Sequence, residues 1–391
     1  MSKSESIPNT EIRIVKVPRL KNQVAARLEW SGARYSTVEL YSGFGIRVSD
    51  FFRHSPAGPK LPREGRSFVI RHLPLSCLAV LLMAASSIPA AVIYETTSPY
   101  HHVRVVEEGT TRTLCFDDAM ESRMSVANPL QGHFEYTEYF HMAWLWNTGI
   151  TSVVMIGLGG ASTQRSFEFY YPNVTIETAE IDPVVVEVAR QFFDFRESDL
   201  QKVQVSDGRV FLRRSTARRD LIILDAYVQG RYGSAIPQHL ATKEFFELVR
   251  DRLTTNGIVA YNVIGSLNSW HAEIVGAIYH TLKTVFPQVY LFPAQSSRNI
   301  VLLATRATVK PDISALRQRA TFLVQNGQIK LPGFLQRLSN FQSLAPPNAM
   351  RCPILTDDYA PVEGLAGSGG PADPEANRST NAPSPTGRRG H

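Results

Sequence analysis

From Val153 to Gly160 the chain reads Val153-Val154-Met155-Ile156-Gly157-Leu158-Gly159-Gly160, a β-branched and apolar run that stops at glycines. A helix-compatible stretch follows, then a second apolar segment, Val174 to Ala179, which closes on Glu180-Ile181-Asp182-Pro183. This is the layout of a nucleoside-binding βαβ unit. The glycines let the backbone turn sharply and approach a ligand, and an acid about 20 positions further on can hold two ribose hydroxyls. Glu180 stands at that place, and an acid ending a buried strand needs a polar partner. Asp182, just ahead of Pro183, is read as a helix cap rather than a ligand.

Further segments fit the same sheet. Val203 to Val205 leads into Ser206-Asp207-Gly208-Arg209, and Asp220 to Leu224 leads into Asp225-Ala226-Tyr227. Gly257 to Val263 is another apolar run, and Gln288 to Phe292 with Asn299 to Ala304 read as two closing strands forming an antiparallel edge pair. Near-continuous apolar strands alternating with helical patterns predict a parallel sheet covered on both faces. The helices are expected at Pro183 to Phe193, Gly208 to Arg214, Thr242 to Arg252 and Ser269 to Val285. The expected fold is therefore α/β and Rossmann-like, with a mostly parallel seven-stranded sheet. Ligands of such sheets sit outside the carboxyl ends of the strands, where Gly157, Glu180, Asp207 and Asp225 all fall. Asp225 also suits a turn, and Asp207-Gly208 is a common turn pair.

Ahead of the glycine turn, Val103 to Val106 and Thr113 to Phe116 flank Glu107-Glu108-Gly109 as a β-hairpin. Phe134 to Trp146 is aromatic-rich at helical spacing; it suits core packing, with Tyr136 as the residue to face a cleft. Residues Tyr227 to His239 combine glycines, tyrosines and a proline in the manner of a lid that orders over ligand. His239 reads either as an acid or base or as a helix cap.

These residues resemble the spermidine synthase (polyamine aminopropyltransferase) family, on the class I methyltransferase fold with a small N-terminal β-region. The resemblance runs from Tyr94 to Glu363 and is nearest to the spermidine-synthase-like domains fused to membrane transporter segments. It is carried by Tyr94 to Val105, by Ile236-Pro237-Gln238-His239-Leu240-Ala241-Thr242-Lys243-Glu244-Phe245-Phe246, and by Leu355-Thr356-Asp357-Asp358-Tyr359-Ala360-Pro361. It implies decarboxylated S-adenosylmethionine as the donor and a small amine such as putrescine as acceptor. Glu180 would hold the donor's ribose, Asp207 with Gly208 its adenine, and Gly157, Gly159 and Gly160 its close approach. Asp225 would receive and deprotonate the amine. Tyr136, Glu121, Tyr227 and His239 are the expected substrate contacts, and Asp357, Asp358 and Tyr359 are expected to fold back over the amine pocket, because polyammonium ligands need carboxylates. A homodimer is expected.

Departures from the family pattern bear on the donor. Gly160 stands where ordinary members carry an aspartate that binds the donor's aminopropyl amine and repels the carboxylate of intact S-adenosylmethionine. A second acid expected shortly after Asp225 is absent, the chain reading Asp225-Ala226-Tyr227-Val228-Gln229. Glu121 replaces a glutamine, and Tyr136-Thr137-Glu138 keeps the tyrosine of a Tyr-Gln-Glu motif without its glutamine. Two alternatives stay open: a methyl- or aminocarboxypropyltransferase using intact S-adenosylmethionine, and a non-catalytic nucleoside-binding domain.

The length of 391 residues and 43% hydrophobic content allow one full α/β domain with attachments. Net charge is +6, yet no nucleic-acid motif accompanies it, so no nucleic-acid partner is expected. Cys77, Cys115 and Cys352 are too few and too scattered for a disulfide framework or zinc site, and no metal is expected. The organisation is read as a poorly patterned basic segment (1–72), a hydrophobic segment (73–93), a small β-hairpin and helix region (94–150), the nucleoside-binding domain (151–306), a helical extension (307–364) and a disordered tail (365–391). The uncharged run from Leu73 to Ile93 follows Arg63, Arg66 and Arg71 and is just long enough to span a bilayer. Membrane attachment or export is expected rather than a cytoplasmic location, with a buried helix as the alternative.

Overall fold

The computed structural model describes residues 12–16, 26–30, 35–41, 45–51, 90–230, 233–268, 272–347 and 349–366. The chain divides into two units, 1–81 and 82–391. In the first, β1 (Ile12–Lys16) pairs antiparallel with β2 (Ala26–Trp30), and β3 (Tyr35–Tyr41) with β4 (Gly45–Phe51). The segment expected to lack pattern thus holds strands. Alternations such as Ile12-Arg13-Ile14 and Val38-Glu39-Leu40 have the period of two that a sheet requires. Residues 73–89 of the expected membrane or export segment, with Cys77, lie outside the described residues; Ala91 to Ile93 belong to a strand. Among the described residues no helix is long and apolar enough to cross a membrane. The tail from residue 367 on also lies outside them.

The second unit opens with an antiparallel meander, β5 (Ala91–Thr97), β6 (His102–Glu108), β7 (Thr111–Phe116) and β8 (Ala119–Ser125). A 3₁₀ helix (Glu135–Leu145) carries the aromatic stripe into the core. There follow β9 (Ser152–Ile156), α1 (Ser162–Tyr170), β10 (Thr175–Glu180), α2 (Pro183–Phe192), β11 (Gln201–Val205), α3 (Gly208–Arg214) and β12 (Arg219–Leu224). A short hairpin of β13 (Val228–Gly230) and β14 (Gly233–Ala235) leads to α4 (Lys243–Asp251), β15 (Leu253–Ile264), α5 (Ala272–Val285), β16 (Gln288–Pro293) and β17 (Asn299–Thr305). Helices α6 (Ile313–Gln325), α7 (Phe334–Leu338) and α8 (Val362–Ala366) complete the extension.

The main sheet has seven strands in the order β11-β10-β9-β12-β15-β17-β16. All pairings are parallel except those of β17, which runs against both neighbours. The expected antiparallel edge pair is present: β17 and β16 close one side of the sheet, with β17 also paired antiparallel to β15. Side-chain alternation shows why both faces are covered. Val154, Ile156, Ile222, Leu224, Val259 and Tyr261 pack with α4 and α5, while Val153, Met155, Leu221, Ile223, Ile258 and Ala260 pack with the 3₁₀ helix, α1 and α6. Each fully buried aliphatic side chain contributes about 1.5–3 kcal/mol of burial free energy, so the strands are fixed by their own packing. The meander rests on α2, where Val103, Val105 and Leu114 meet Val185 and Val188.

The strand order reverses direction at β9. From it the chain steps outward to β10 and β11, then returns to β12 on the other side. The carboxyl ends of β9 and β12 therefore flank the switch point at which open α/β sheets form their crevice.

Candidate active site

A cleft of about 820 Å³, open mouth included, lies at that switch point. Gly157, Gly159, Glu180, Asp207, Gly208, Asp225, Tyr136, Glu121, Tyr227 and His239, ten of the eleven residues expected to form the site, line it.

Gly157 ends β9 at φ 97°, and a Cβ there would lie 2.1 Å from the carbonyl oxygen of Asp225. Only glycine lets the two strand ends approach this closely. Gly160 is the exception among the expected residues. It turns away from the cleft, donating its N–H to Ser122 Oγ at 2.9 Å, and a Cβ on it would meet Ser122 Cβ at 2.8 Å and the Phe193 ring at 2.9 Å. Position 160 has no room for a side chain, because Ser122 and the Phe193 ring fill the space.

Glu180 ends β10 and is buried. One carboxylate oxygen accepts the Leu158 N–H at 2.8 Å and the other the Asp182 N–H at 2.9 Å, which ties the acid to the glycine turn. Burial raises its pKa, against those two backbone bonds. Asp182 caps α2 through the Val184 N–H, as its position before Pro183 implied. Asp207 caps α3 through the Val210 N–H at 2.8 Å, and its second oxygen meets His239 Nε2 at 2.7 Å. The His239 bond is the main reason its carboxyl sits below the usual range. Both its oxygens serve the protein, so an adenine amino group reaches Asp207 only through a remaining lone pair.

Asp225 follows β12. Asn262, on the neighbouring β15, donates Nδ2–H to its Oδ1 at 2.8 Å, and the Tyr136 hydroxyl donates to its Oδ2 at 3.2 Å. Burial pushes its pKa up to about 6 despite those bonds. Glu121, on β8, accepts the Ser234 hydroxyl at 2.8 Å, and burial followed by the nearby Asp225 charge pushes it up to about 7. Among the described residues neither carboxyl forms an ion pair. Tyr227 lines the wall with its ring, but its hydroxyl donates to the Asn262 carbonyl at 2.8 Å and accepts from the Ile264 N–H at 3.0 Å. It acts as an anchor for the strand end, which leaves its ring, not its hydroxyl, for a ligand.

Three expectations are corrected by the geometry. The segment expected to be a loop-like lid is a paired hairpin, β13 with β14, held through Ser234 on Glu121; its residues 231–232 lie outside the described set. Asp357 does not line the amine pocket, for Arg209 grips both its oxygens at 2.7 and 2.6 Å and Thr242 donates to one at 2.7 Å. Asp358 and Tyr359 are likewise absent from the cleft wall, because the Thr356–Tyr359 turn points them to solvent. His141 is core, bonded to the Tyr171 and Ser166 hydroxyls. Among the described residues no group of histidine, cysteine or acidic side chains could hold a metal ion.

The sequence reading missed Asn262, Ser122 and the His101–Phe116 stack, whose rings lie 4.2 Å apart at the cleft. Asn262 did leave a signal, as the polar residue inside the otherwise apolar run Val259 to Ile264. Ser122 left none, since its role depends on β8 meeting the glycine turn across the fold.

Fold and site together define a class I methyltransferase-like α/β scaffold with an acid-lined cleft at the switch point of its sheet. Residues 133–296 match the model for the spermine/spermidine synthase domain. The polyamine aminopropyltransferase of Vibrio vulnificus is 28% identical over 298 residues, 73% of this chain and 95% of that one. An eEF1A lysine and N-terminal methyltransferase of Bos taurus is 30% identical over 159 residues, 39% of this chain and 22% of that one. A probable spermidine synthase from Corynebacterium glutamicum shares the fold with a TM-score of 0.51 at 18% identity, over 72% of this chain and 98% of that one. Residues 133–296 are thus similar to the spermidine synthase family, and that similarity extends at lower identity over most of the second unit.

Proposed function

We propose that this protein transfers an aminopropyl group from decarboxylated S-adenosylmethionine to a small amine. The observation that carries the reading is Asp225: a half-buried carboxylate at the switch point, oriented by Asn262 and Tyr136, across one cleft from Glu180. Glu180 takes the ribose, and the backbone around Gly157 and Gly159 lets the sulfonium approach the sheet. The acceptor's nitrogen lone pair attacks the carbon next to sulfur. As the C–N bond forms, the C–S bond breaks and its electron pair returns to sulfur, leaving methylthioadenosine. The nitrogen's surplus proton passes to Asp225 and then to solvent. A carboxyl raised to about 6 is a better proton acceptor than an ordinary aspartate and is still ionised near pH 7. Tyr136 and Asn262 hold it in one orientation, so the enzyme supplies position and charge rather than a covalent intermediate.

The test is to incubate purified protein with decarboxylated S-adenosylmethionine and putrescine and follow methylthioadenosine by mass spectrometry. Product formation that falls about a thousandfold with Asp225→Asn is expected; no product with any of a panel of amines sinks the proposal. A second reading, group transfer from intact S-adenosylmethionine, is favoured by the lack of an acid at Gly160, and the same assay run with the intact donor separates the two.

A further inference from the structure

Position 160 of the glycine turn has no room for an acid, yet a half-buried acid lies beside it on another strand. Ser122 fills the space next to Gly160 and takes its N–H, and Glu121 is the next residue along β8. Glu121 lines the cleft and also a narrow side pocket of about 250 Å³, open mouth included, with Ser122, Tyr136, Leu158 and Asp225 common to both. Among the described residues its only hydrogen bond is the one from Ser234 Oγ, so its Oε2 is left without a donor. A half-buried carboxylate next to a second one, with no ion pair among the described residues, is better stabilised when a ligand brings positive charge. The remaining walls of the side pocket, Phe134, Thr137, Met155, Ser162 and Thr163, carry no charge.

We propose that Glu121 is the residue that holds the donor's aminopropyl ammonium, and that it selects decarboxylated over intact S-adenosylmethionine. This rests on the aminopropyl-transfer reading above. Asp225 is engaged by Asn262 and Tyr136 and serves the attacking amine; Glu121 has the free oxygen and lies at the junction of cleft and side pocket, where a three-carbon arm leaving the sulfur beside the glycine turn would run. An intact donor would place its carboxylate on the same carbon as that amine, close to Glu121 and Asp225, and be repelled by both.

Calorimetric titration of wild type and Glu121→Gln with three probes decides the matter. Methylthioadenosine lacks the ammonium and should bind both proteins within twofold. Decarboxylated S-adenosylmethionine should bind Glu121→Gln about tenfold or more weakly, the usual effect of losing a hydrogen bond to a charged group. Intact S-adenosylmethionine should lose no affinity, so the preference between the donors narrows. Equal binding of the decarboxylated donor to wild type and variant overturns the assignment, as does a variant that loses methylthioadenosine as well, since Glu121 would then be structural. A wild type that binds none of the three overturns the nucleoside reading itself, and this inference with it.

Discussion

At either end of β12 stands an aspartate, and the two titrate in opposite directions. Asp220, at the start, is also partly buried, but donors from Thr151, Ser152 and Thr254 outweigh that and hold its carboxyl below the usual range. Asp225, at the finish, has only Asn262 and Tyr136, and burial wins. The difference suits Asp220 to scaffold and, under the proposed aminopropyl transfer, Asp225 to proton acceptance. Asp225 and Glu121 both have folded pKa values above those of the unfolded chain, about 6 and about 7. Their contribution favours the fold at low pH, where both are protonated in either state, and is lost as pH rises through those values. Glu121→Gln should therefore stabilise the ligand-free protein at pH 8 by up to about 3 kcal/mol and leave it unchanged at pH 4, read from denaturant unfolding at the two pH values. Turnover should show the reverse slope, rising from pH 5.5 to 8 as both acids ionise. A flat pH–rate profile would argue against Asp225 as base.

Among the elements, β9 with its glycine turn does most to shape the cleft, and it was also the most legible. An apolar run closed by glycine, followed by a second strand ending in an acid, left little else for residues 153–180 to form. The helices could be read nearly to the residue where caps marked them, as Asp207 does for α3 and Thr242 for α4. The hairpin of β13 and β14 could not, because its strands are too short to show a period and its partner contact, Ser234 on Glu121, joins distant segments. The pairing of β17 with β15 was hidden for the same reason: strand order within a sheet is a long-range property. Two substitutions test the turn. Gly157→Ala should destabilise the domain by about 3 kcal/mol or prevent folding, because its Cβ meets backbone that cannot move and φ is positive. Gly160→Asp, which restores the family residue, should lower the melting temperature and fail to raise affinity for the decarboxylated donor, since Ser122 and Phe193 occupy the space.

In the second unit as a whole, the C-terminal extension packs on both faces of the sheet through apolar side chains, and one of its ion pairs reaches α3 beside the cleft. Arg209 on α3 is buried, binds Asp357 with two hydrogen bonds and also donates to the His239 carbonyl. Asp357→Asn leaves that guanidinium under-compensated and should cost about 2 kcal/mol, discounted because the aspartate is half exposed, with a lower melting temperature as the readout. The amine-pocket role read for Asp357 from the chemistry of polyammonium ligands failed because sequence shows that an acid is present but not which cation it faces.

One seam runs through the acid pair. Glu121 belongs to the meander, which rests on α2 through a modest cluster of Val103, Val105, Leu114, Val185 and Val188, whereas Asp225 belongs to the main sheet. Partial lifting of that outer layer would part the acids and let a spent thioether leave without unravelling a single strand of the scaffold. Amide exchange in β6 to β8 should accordingly be the fastest of the strands around the empty cleft, and should slow most when the nucleoside docks.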